Sequence, residues 1–126
     1  MKVLAFATLL GVVVPGPVLA VDCHSVGGHL NGRPISVVRQ VILNGDQLSL
    51  TGWFLESTGA SPVKAPLRVL SCSALHAGVL CKQEFGPVTV TVMSNGNRLV
   101  ETITDRGTGK ESSGIAYECD GTLQIK

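Results

Sequence analysis

Apolar and polar residues alternate most cleanly over positions 88–92, where Val88, Val90 and Val92 share one face and Thr89 and Thr91 the other. That period of two is the signature of a half-buried strand. An Asn95-Gly96-Asn97 turn follows, and residues 98–104 read as the returning strand. A two-residue turn at Asn95-Gly96 sets Val92 against Leu99 and Val90 against Glu101, whereas a three-residue turn pairs Val92 with Val100; the pattern leaves the register open. Residues 47–55 place Leu48, Leu50 and Phe54 on one side and Trp53 on the other. Further strands are predicted at 67–71 and 115–119, with a short one at 122–125. Asn-Gly pairs at Asn31, Asn44 and Asn95 mark turns between segments.

Residues 35–43 carry two patterns at once. Their β-branched composition favours a strand, and a four-residue loop then aligns Leu43 with Leu48, Val41 with Leu50 and Val37 with Phe54. Yet Pro34 suits a first helical turn, Ile35, Val38, Val41 and Ile42 share a helical face, and Gly45 suits a helix end. Local propensity alone favours the strand.

The first twenty residues read as a signal peptide: Lys2, an apolar run over 3–14, Pro15-Gly16-Pro17, then the small residues Val18-Leu19-Ala20. That run is well short of the roughly 20 apolar residues a membrane span needs. Residues 21–126 are then one secreted domain with no membrane segment. Without Lys2 the acidic and basic residues balance, and the basic ones are scattered singly, which argues against tight nucleic-acid binding by charge. The four cysteines read as two disulfides with three possible pairings. Cys23 with Cys119 and Cys72 with Cys81 is the favoured set, the first closing nearly the whole chain at a gain of about 4 to 5 kcal/mol. No CxxC pair supports zinc, so neither a metal nor another cofactor is expected.

Candidate chemistry is sparse. His24 and His29 near Asp22, and His76 between two cysteines, read as surface residues before metal ligands. No GxSxG nucleophile turn occurs, and Glu84, Glu101, Glu111 and Glu118 have no telling spacing. The polar segment 104–114 is a solvated connection or a contact loop, and Trp53 is a semi-buried anchor or a contact residue.

The order of strand, Asn-Gly turn, strand, glycine loop and closing cysteine over residues 85–120 resembles the C-terminal half of the small secreted guanyl-specific ribonucleases of fungi. Val21-Asp22-Cys23 resembles the start of ribonuclease-like secreted effectors of plant-pathogenic fungi. The resemblance implies an α+β fold, a single helix over Pro34 to Asn44 packed on an antiparallel β-sheet, stapled by disulfides. The alternative is an all-β sandwich with 35–43 as a strand. The family's catalytic Arg, His and Glu fall on Val90, on Asp105 and within 65–70, where Arg68 stands and no carboxylate does. The resemblance therefore implies a pseudoenzyme without catalytic residues, a monomeric effector that is secreted and able to enter host cells. It would bind a host protein, or RNA as second choice, through Trp53, Arg68, Asp105, Arg106 and Lys110. The runner-up is a secreted, disulfide-stabilised β-sandwich interaction module unrelated to nucleases, and a third reading is an enzyme rebuilt around the histidines.

Overall fold

Strand-forming alternation and turn glycines run the length of the chain in the computed structural model, which describes residues 18–55 and 62–125. Among those residues every regular element is a strand: β1 (Val18–Leu30), β2 (Arg33–Pro34), β3 (Ser36–Asn44), β4 (Gln47–Leu55), β5 (Val63–Leu75), β6 (Gly78–Phe85), β7 (Val88–Asn95), β8 (Arg98–Asp105) and β9 (Glu111–Cys119). They form one antiparallel sheet in the order β2-β1-β3-β4-β5-β6-β7-β8-β9, and β1 also pairs with β9. The sheet thus closes into an eight-stranded barrel, with β2 a short extension on β1. The predicted signal peptide falls mostly outside the described residues; Val18, Leu19 and Ala20 pair with Asn44, Leu43 and Ile42.

The helix expected over residues 34–44 is a strand, which overturns the α+β fold. In β3, Val37, Arg39, Val41 and Leu43 point inward and are buried, while Ser36, Val38 and Gln40 face out. The β-branched residues follow their own preference, and β4 supplies an apolar partner for each inward aliphatic residue at the register the alternation favours: Leu43 with Leu48, Val41 with Leu50, Val37 with Phe54. The all-β alternative, with 35–43 as a strand, is what the structure contains, but β1 pairs with β9, so the sheet closes into a barrel and is not split into the two layers of a sandwich.

Turn chemistry sets the other registers. The loops Gly45-Asp46, Gly86-Pro87 and Gly96-Asn97 each begin on a glycine with φ near +60°, at 63°, 59° and 60°, and their second residues have no positive φ. That combination is the II′ turn, whose twist suits a hairpin. Asn95 is therefore the last strand residue and pairs with Arg98, which sets Val92 against Glu101 and Val90 against Ile103, neither of the two expected registers. The strand expected at 122–125 is instead a tail without regular structure, and its Leu123 is buried in the core.

Because strands alternate in direction, the turns at Gly45, His76 and Gly96 and the tail lie at one end of the barrel. The turns at Asn31, Gly86 and residues 106–110 rim the other, which we call the mouth. The tail closes the first end: Cys119 N–H donates to the Asn97 carbonyl at 2.8 Å, the Asp120 N–H donates to the Asp22 carbonyl, and the Asp22 N–H donates to the Asp120 carboxylate. Aliphatic side chains fill the interior, among them Val41, Leu43, Leu48, Leu50, Leu70 and Val92. Both expected disulfides are present, Cys23–Cys119 joining β1 to β9 and Cys72–Cys81 joining β5 to β6.

Candidate functional site

Arg39, Glu101 and Tyr117 form a polar network inside the barrel. Arg39 and Glu101 occupy inward positions of β3 and β8 and are 4% and 2% exposed. The guanidinium donates to the Glu101 carboxylate through Nη2 at 2.8 Å and Nε at 3.3 Å, and the Tyr117 hydroxyl donates to the same carboxylate at 2.7 Å. Burial and then the Glu101 carboxylate push the Tyr117 phenol far above its ordinary range. For Arg39, burial alone lowers the pKa, but Glu101 and Tyr117 outweigh it and leave the group more firmly charged than usual. The Phe54 ring lies 5.5 Å from the Arg39 guanidinium. This network escaped the sequence reading, although a signal existed: Val37-x-Arg39-x-Val41 and Leu99-x-Glu101-x-Ile103 each place one charge on an apolar face.

A second arginine lines the interior. Arg68 is in register with the fully buried Leu50 and lies 5.6 Å from the Phe85 ring. The ladder between β5 and β6 runs only from Ser71↔Lys82 to Leu75↔Gly78, so no ladder joins Arg68 to Phe85 and the two side chains bridge the wall instead. On the other side of β5 the register slips between Leu50↔Arg68 and Gly52↔Ala65, a bulge that takes up Pro66 and Leu67. Lysine, proline and a bulge are the usual protection of a strand edge, and β5 has all three in Lys64, Pro66 and Leu67.

The outer wall carries an unexpected apolar row. Leu80 pairs with Met93, Met93 with Val100 and Val100 with Ala116, four neighbouring strands contributing one apolar residue each. Met93 is 50% exposed and Val100 45%. Trp53 lies elsewhere on the wall, 45% exposed and paired with Val38. Strand pairing brings the row together from residues 36 positions apart, so no local pattern could announce it.

The residues proposed from sequence do not converge. Asp105, Arg106 and Lys110 share one rim loop; Trp53 is on the outer wall and Arg68 inside. The Asp105 carboxylate accepts the N–H groups of Gly107 and Thr108, Arg106 donates to the Gly86 carbonyl and reaches Glu84 at 3.5 Å, and Lys110 accepts from the Asp105 N–H through its carbonyl. These contacts build the loop. Val90 is fully buried in the core. His24 and His29 lie on β1 and His76 in the turn at the plugged end, and among the described residues no three His, Cys, Asp or Glu side chains gather as a metal site would require. No protein-family model matches the chain, and no curated protein or solved structure is similar to it.

Proposed function

We propose that this protein is an extracellular, non-catalytic interaction module that binds a protein partner through its outer wall. The apolar row Leu80–Met93–Val100–Ala116 carries the reading. A contiguous apolar surface on a folded domain is costly in water unless something covers it, and such surfaces mark protein contacts. The wall also exposes single apolar residues such as Trp53, Val38 and Val69, but Asp22, Gln40, Lys82 and Glu84 face out among them and aliphatic side chains fill the interior, unlike a barrel that sits in lipid around a polar lumen. Two disulfides suit an oxidising compartment. The non-catalytic part draws on the use of Asp105 as a loop cap and of Glu101 as an ion-pair partner. Direction toward a host protein rests on the effector resemblance alone; RNA is the weaker choice because basic residues do not cluster.

The test is affinity capture with the mature, oxidised protein, its Met93→Lys/Val100→Lys variant and its Trp53→Ala variant. The reading expects a defined protein retained by wild type and by Trp53→Ala and lost from the double variant. Equal retention by all three rejects the row as the contact surface. RNA cleavage by wild type that vanishes on changing one histidine rejects the non-catalytic part.

A further inference from the structure

We propose that the mouth of the barrel binds a carboxylate between Arg39 and Arg68, independently of the outer-wall contact. Two observations point to it. Arg39 Nη1 and Arg68 Nη1 are both buried, and neither has a hydrogen-bond partner among the described residues. Arg39 spends its other two nitrogens on Glu101, while Arg68 has no ion pair among those residues. The interior therefore holds two guanidinium groups against one carboxylate. Unpaired buried donors are unfavourable, and a carboxylate placed between them satisfies both.

Strand order brings the two arginines to one region. Arg39 is in register with Gly52 and Arg68 with Leu50, so they flank β4 on either side. Between them β4 presents Gly52, a position with no side chain, where a Cβ would collide with the Val38 carbonyl. Phe54 and Phe85 lie against the two guanidinium groups and offer apolar walls. Guanidinium favours carboxylate through paired, charge-assisted hydrogen bonds. One excess positive charge selects a monoanion over a phosphate, and the flanking rings select a short apolar body. That chemistry is a small monocarboxylic acid or the acidic side chain of a partner protein.

The experiment is an NMR titration of the mature, oxidised protein in chloride-free buffer, following the side-chain Nε–Hε signals of Arg39 and Arg68. The probes are sodium hexanoate, the neutral analogue hexanamide, and an acetylated, amidated tripeptide with one Glu. The expected result is a saturable shift of both signals with hexanoate and none with hexanamide, weakened at least about tenfold in Arg68→Gln. Arg68 is half-exposed, so this variant should fold, and its amide spectrum checks that. Saturation by the Glu peptide alone supports the site and identifies its source as a macromolecule. Absence of any saturable shift overturns the proposal, as does an equal response to hexanamide.

Discussion

Tyr117 shows how much one phenol can contribute inside a barrel this narrow. Its hydroxyl donates 2.7 Å to a carboxylate that also holds Arg39, so its removal leaves an ion pair short of one partner. Hydrogen bonds to charged groups contribute about 1.5 to 3 kcal/mol, which is the loss expected for Tyr117→Phe at neutral pH, read from urea unfolding. The same phenol ties stability to alkaline pH. Folding raises its pKa above the ordinary 10.0. Below about pH 10 folded and unfolded chains both keep the proton and the contribution is complete; above it the unfolded chain releases the proton first, so stability falls as pH rises. Wild type should therefore lose stability between about pH 10 and about pH 12 more steeply than Tyr117→Phe. Equal slopes would show that the phenol titrates alike in both states. The sequence carried only a part of this, the single charges on the apolar faces around Arg39 and Glu101; a Tyr two residues before a Cys looks ordinary until three separate strands bring the three side chains together.

At the scale of elements, hairpins were legible and closures were not. β4 spans the residues expected of it, and its register with β3 follows from matching apolar positions. The helix assigned to residues 34–44 came from the fungal resemblance, against a β-branched run that favoured the strand the structure contains. β6 was not anticipated, since Gly78-Val79-Leu80-Cys81 is too short an apolar run to separate from a loop. Gly78 is where this strand meets its neighbours most closely: a Cβ there would collide with the Ser94 carbonyl, while Ser94 Oγ accepts the Val79 N–H at 2.9 Å. Gly78→Ala must push β6 and β7 apart, and overpacking of this kind costs about 1 to 3 kcal/mol. Thermal unfolding of the oxidised variant measures it, and a melting temperature equal to wild type would mean the strands yield freely.

Over the whole molecule, sulfur holds two different seams. Cys23–Cys119 closes a loop with a sequence separation of 96 and fastens the strands that complete the barrel, whereas Cys72–Cys81 spans 9 and fastens the shortest ladder between long strands. Chain entropy alone predicts that replacing the first pair by alanine costs about 2 kcal/mol more than replacing the second. Urea unfolding of the two double variants compares them, and a larger loss from the Cys72–Cys81 pair would locate the weak point at the β5–β6 seam instead. This pairing was legible from spacing, but barrel closure was not. Residues 18–30 combine the end of a signal-like segment with glycines at 27 and 28, and nothing local in them announces a strand long enough to meet both β3 and β9.

Strand count has a practical corollary. An even number of antiparallel crossings returns the chain to the side from which it set out, so Val18 and the tail after Cys119 emerge together at the plugged floor. A dye, bead or fusion partner joined at either of these ends is tethered there, leaving the opposite rim, with the turns at Asn31, Gly86 and residues 106–110, to face the solution.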